Sequence, residues 1–120
     1  MAQSAAVRTA DFPRTSPPID LVQLATNTLG NRDLEIQVLQ MFKSQASNML
    51  ARLIAEADRN EQKRLVHTMK GSARAIGAVT VAHECERAEQ QLAGPDAPSF
   101  AKLQAAISLA NAYIDDLTSS

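Results

Sequence analysis

Apolar positions along the chain recur every three or four residues from Ile19 onward, which is the period of an amphipathic helix. Ile19, Val22, Ala25 and Leu29 mark a short helix that begins after Pro18 and is ended by Gly30. A long helix follows over about 33–57, with Leu34, Val38, Met41, Phe42, Met49 and Leu53 as its apolar stripe and Asn31 or Asp33 as its cap. Asp58, Arg59 and Asn60 read as a short polar connection. The next helix spans about 61–77. Another spans about 79–93, with Val81, Cys85, Ala88 and Leu92 turned inward. Gly94-Pro95-Asp96 and Pro98 break the chain. Ser99 then caps a last helix, in which Phe100, Leu103, Ile107, Ala110, Ile114 and Leu117 repeat at bundle spacing. Residues 1–17 have no such period and read as a flexible tail.

No strand-like alternation competes with this pattern, and short connections make neighbouring helices antiparallel. The expected fold is therefore all-α: an antiparallel up-down four-helix bundle with a short additional N-terminal helix, filling residues 18–120. A 120-residue chain suits one domain. Hydrophobic residues make up 45%, but aromatic residues only 3%, so the core rests on aliphatic side chains, which favours helix-on-helix packing. A formal net charge of −1 disfavours nucleic acid as a partner. The single Cys excludes an internal disulfide and a Cys-x-x-Cys metal site. No apolar run reaches the about 18 residues of a membrane span. Met1 to Arg8 lacks the charged start and apolar stretch of a signal peptide. The expectation is a cytoplasmic protein.

The chemistry concentrates in Leu65-Val66-His67-Thr68-Met69-Lys70-Gly71-Ser72-Ala73-Arg74-Ala75-Ile76-Gly77-Ala78. On a helix, Leu65, Met69, Ser72 and Ile76 cluster on one side, and Lys63, His67, Lys70, Gly71 and Arg74 on the other. His67 and Ile76 point about 180° apart, so His67 stands on the polar face. A polar-face histidine is usually just solvated. Gly71 argues for more: within a helix it costs about 1 kcal/mol relative to Ala, and close approach of another surface is a reason to accept it. Lys70 is within reach of anything attached to the imidazole and suits phosphoryl oxygens. Arg74 reads either as part of that face or as an ordinary solvated cation. Counting from the turn at Ala78, His67 is eleven residues before it and Glu89 eleven after, which places them level on antiparallel helices. Glu89 is then either an acceptor for the ring Nδ1–H, fixing the tautomer, or a surface acid paired weakly with Lys70.

His67 to Ala78 resembles the signature of the histidine-containing phosphotransfer (HPt) family: His-x-x-Lys-Gly, two small residues, a hydrophobic residue, Gly and often Ala. Every position is met, with Ser72 and Gly77 among the structural ones, and the resemblance covers about residues 19–118. It implies a relay domain without nucleotide site or autokinase activity. Such a domain accepts a phosphoryl group on the histidine from a receiver aspartate, or from a histidine kinase, and donates it to another receiver. The implied partners are receiver domains of response regulators and hybrid histidine kinases. The domain itself needs no cofactor, since the Mg²⁺ belongs to the receiver. Family members often carry Gln or Glu at the position of Glu89, bonded to the active histidine, and vary at the position of Arg74. The resemblance favours a monomer.

On this reading His67 is the phosphoryl carrier, with Lys70 and Glu89 assisting. Gly71, Arg74, Lys63, Leu21 and Leu24 face the partner. Leu21, Leu24, Ile36 and Leu39 lie off the main stripes of their helices, and either form an exposed apolar patch or seal the first helix onto the bundle. One rival is a helical docking module that binds and sequesters a receiver or kinase without transfer. A metal enzyme is a weaker rival: His83 and Cys85 point about 200° apart on their helix and cannot share a metal.

Overall fold

A computed structural model describes residues 17–119. The expected tail lies outside the described residues except for Pro17. Five helices follow: α1 (Leu21–Thr28), α2 (Arg32–Ala55), α3 (Arg59–Ile76), α4 (Val79–Ala93) and α5 (Ala101–Thr118), with no strand among the described residues. The last four close a ring in which α3 packs on α4, α4 on α5, α5 on α2 and α2 on α3, while α1 lies against α2 and α3. This is the four-helix bundle with an additional N-terminal helix.

Side chains start three of the helices. Asp20 accepts from the backbone N–H groups of Val22 and Gln23 at 3.0 and 3.1 Å, Asn31 from Leu34 at 3.0 Å, and Asp58 from Asn60 at 3.0 Å. Each satisfies donors that the first helical turn leaves without partners. Asp58 therefore begins α3 two residues earlier than the sequence pattern indicated, and Arg59 and Asn60 are helical rather than linking. The Arg59 side chain reaches across to the end of α4, where it donates to the carbonyls of Leu92 at 2.9 Å, Gln91 at 3.1 Å, Gly94 at 2.8 Å and Asp96 at 2.6 Å. One guanidinium thus ties the start of α3 to the end of its antiparallel neighbour. The expected Ser99 cap is replaced by a looser arrangement. Its hydroxyl is 3.5 Å from the N–H of Ala101, and its own N–H donates to Gln91 Oε1 at 2.8 Å.

The α2 stripe also needs correction. The buried positions are Leu39, Phe42, Ala46, Met49 and Leu53, a three-four repeat that forms a bundle seam. Leu34 and Met41 are exposed. Ala46 completes the seam, and its small side chain made the phase hard to see in the hydropathy pattern. In α1, Leu24 and Thr28 are buried, whereas Val22 is 77% and Leu29 93% exposed. Ile19 is fully buried, ahead of the helix. The reason is hydrogen bonding. α1 turns toward α3 the face from which Gln23 Nε2 donates to Arg74 O at 2.7 Å and Asn27 Nδ2 to Ala75 O at 2.6 Å. These bonds, with Asp20 N–H to Gly77 O at 2.7 Å, add partners from α1 and its cap to carbonyls at the end of α3.

The turn from α3 to α4 depends on Gly77. It adopts φ 79°, and a Cβ there would lie 2.7 Å from the Asp20 carbonyl oxygen. Gly71 is the opposite case, because a Cβ there meets nothing within 4 Å. Gly77→Ala is expected to destabilise the fold by about 1–3 kcal/mol, since it combines left-handed strain with a backbone clash. Gly71→Ala is expected to stabilise it by up to about 1 kcal/mol through helix propensity. Urea denaturation of the two variants beside wild type checks this, and a loss of stability in Gly71→Ala would contradict it.

Candidate functional site

α3 buries Leu65, Val66, Met69, Ala73 and Ile76, a wider face than the sequence pattern assigned, because α1, α2 and α4 all pack against it. Ser72 is half-buried at the edge of that face. The remaining arc carries His67, whose side chain is 76% exposed, together with the exposed Lys63, Gly71 and Arg74.

From α4, Glu89 faces this arc with both carboxylate oxygens engaged. Oε2 lies 3.3 Å from His67 Nδ1, and Lys70 donates to Oε1 at 2.6 Å. The Lys70 side chain is 16% exposed and that of Glu89 28%, so this pair is far better shielded than an ordinary surface salt bridge. An ionised carboxylate only accepts hydrogen bonds, so a bond to Glu89 requires the proton to sit on Nδ1 and leaves the Nε2 lone pair free. The two functions considered for Glu89 from the sequence therefore coincide in one geometry.

Burial pushes the Glu89 carboxyl up, but the bonds from Lys70 and His67, with their charges, outweigh it and hold the group below the ordinary value of 4.5. A carboxyl depressed on folding adds stability above its unfolded value, and that stability is lost as pH falls through the lower folded value. The stability advantage of wild type over Glu89→Gln is accordingly expected to shrink as pH drops from about 6 to about 3, measured as the difference in urea midpoints. A difference independent of pH would contradict it.

Cys85, one turn before Glu89, is fully buried. Its thiol is pushed up to about 12, first by burial and then by the charge of Glu89. It is a small core side chain and not a nucleophile at neutral pH. A thiol-reactive disulfide reagent is expected to label native protein only at the rate of unfolding and denatured protein at once; rapid native labelling would contradict this.

The second cation of the arc is also met from α4. Arg74 Nη2 lies 2.5 Å from Glu86 Oε2, with both side chains about half exposed. Sequence reasoning weighed Glu86 only as a metal-ligand type beside Cys85 and did not pair it with Arg74, although it lies on the same flank of α4 one turn from Glu89. Lys70, Glu86 and Glu89 line one shallow hollow together with Gln90 and Ala93.

The apolar patch contracts and shifts. Leu24 is 2% exposed, and Leu39 is fully buried. Both belong to the core, and Leu24 is withdrawn from the partner-facing residues. Ile36 is half-buried. Leu21 stays exposed and is joined by two residues the sequence reading did not select, Val22 and Val79. With Pro17 and Asp20 they line an open depression beside the α3–α4 turn. Among the described residues no three His, Cys, Asp or Glu side chains group to hold a metal ion, and no helix is long and apolar enough to cross a membrane.

An exposed imidazole thus stands on an antiparallel helical bundle with a carboxylate and an ammonium beside it. The Hpt domain family model matches residues 37–117. The chain belongs to the Hpt domain family, whose members carry out histidine phosphotransfer in phosphorelays and interact there with receiver domains and kinases. Comparison with curated proteins and with solved structures returns no match.

Proposed function

We propose that this Hpt domain is a relay carrier. It takes a phosphoryl group onto Nε2 of His67 from the aspartyl phosphate of a receiver domain, or from a histidine kinase, and passes it to the aspartate of a second receiver. The observation that carries this reading is the shared carboxylate: Glu89 engages Nδ1 of an exposed ring while it holds Lys70 beside it.

The step balances within these groups. The Nε2 lone pair attacks phosphorus, the bond from phosphorus to the aspartyl oxygen breaks, and the carboxylate leaves with the electron pair. The ring keeps its Nδ1 proton, and Glu89 stabilises the positive charge that the imidazole acquires. Lys70 is near enough to shift from Glu89 to the phosphoryl oxygens. Gly71 leaves space beside the histidine for a partner's loops. Lys63 and the Leu21 patch flank that approach. A relay between receivers places the domain in the cytoplasm. A monomer suffices, since His67, Lys70 and Glu89 come from one chain.

The test is phosphoryl transfer from a receiver labelled with radioactive acetyl phosphate. Wild type is expected to gain acid-labile label and His67→Gln none. Glu89→Ala is expected to slow transfer about 10- to 100-fold, the value of a hydrogen bond to a charged group. Gly71→Ala is expected to slow transfer without loss of stability. Absence of label on wild type that still binds the receiver would identify a sequestering module instead, and equal labelling of His67→Gln would remove His67 from the reaction.

A further inference from the structure

The geometry points to Arg74 as a specificity residue, held by Glu86 in the free domain and handed to a carboxylate of the incoming receiver on docking. This inference rests on the relay reading above and adds a statement about which receivers the domain accepts.

Arg74 is seven residues beyond His67 on α3. Seven residues are two turns, so the two side chains leave the helix within about 20° of each other and about 10.5 Å apart along its axis. Between them on the same arc lies Gly71, where the helix has no side chain and where open space begins. A partner that lowers its reacting group onto His67 therefore lies across Gly71 and meets Arg74 next. Arg74 is fixed at its backbone, because its carbonyl accepts from Gln23 of α1 at 2.7 Å. The guanidinium is free to exchange: its bond to Glu86 joins two half-exposed side chains, and such pairs contribute about 0–1 kcal/mol.

Lys70 and Arg74 form two rungs against Glu89 and Glu86, and the rungs differ in burial. The shielded inner rung lies at the histidine. The exposed outer rung offers a planar donor fork that matches a carboxylate in two parallel bonds. Its occupant is an acidic side chain about 10 Å from the phosphorylated aspartate on the receiver's face. That carboxylate displaces Glu86, which stays solvated. A receiver with a cation there meets Arg74 as a like charge, which is the repulsive half of discrimination.

The experiment measures transfer to the intact domain from the receiver domains of the source organism, each phosphorylated with acetyl phosphate. For the receivers that label wild type, Arg74→Glu and Arg74→Gln are expected to raise KM about tenfold or more, equivalent to about 1.4 kcal/mol, with kcat within about twofold. Glu86→Gln, which removes the competitor, is expected to leave KM equal or lower. Reversing acidic residues singly to Lys around the active site of a preferred receiver is expected to reveal one whose loss of transfer is rescued by Arg74→Glu. If KM of the Arg74 variants stays within about twofold of wild type on every such receiver, or if no reversal is rescued, Arg74 is a solvated helix cation and the inference falls. Failure of wild type to accept label from any receiver, or labelling of His67→Gln, would instead overturn the relay reading.

Discussion

The short turn at Gly77 and Ala78 is the constraint on which the site depends. Two residues separate the end of α3 from the start of α4, which gives the two helices little freedom to slide. Gly77 makes this possible by taking a left-handed conformation and by leaving room for the Asp20 carbonyl. Once the turn is set, the register of α3 against α4 follows along their whole length. That register brings Glu89 to His67 and Lys70, and Glu86 to Arg74. At the far end of the hairpin, Arg59 holds the last carbonyls of α4, so both ends of the helix pair are fastened and the centre is held between them.

α1 adds to this scaffold through polar contacts more than through apolar ones. Its buried residues are Leu24 and Thr28, too few to hold a helix of eight residues by hydrophobic burial alone. Gln23, Asn27 and the backbone of Asp20 instead occupy carbonyls at the end of α3. α1 is thereby fastened to the helix that carries the histidine. Leu21, Val22 and Val79 share one rim with this junction.

The division of charge around His67 has a physical logic. One carboxylate with two oxygens serves two neighbours, since Oε2 faces Nδ1 of His67 and so sets its tautomer, while Oε1 holds the Lys70 ammonium. The buried thiol of Cys85 behind Glu89 presents no competing nucleophile. The exposed pair of Arg74 and Glu86 stands outside this balance.

Much of this was legible in the chain itself. Helical period placed all five helices, and the helix phase put His67 outside and Met69 inside, because a fixed angle per residue relates sequence distance to direction. The signature around His67 led to the family, and counting from a short turn was enough to set Glu89 level with the histidine. Side chains whose neighbours come from distant segments were not legible. For Leu24 and Leu39 the sequence allows either a surface patch or a seal beneath the first helix, and the packing makes them core. Val22 and Val79 carry the exposed patch, and Ala46 completes a seam that hydropathy did not mark. The face of α1 was chosen by carbonyls some fifty residues away, and Glu86 gained a partner only when α3 and α4 met. A sequence determines the direction of each side chain within its own helix; which direction becomes the interior is decided by the other helices.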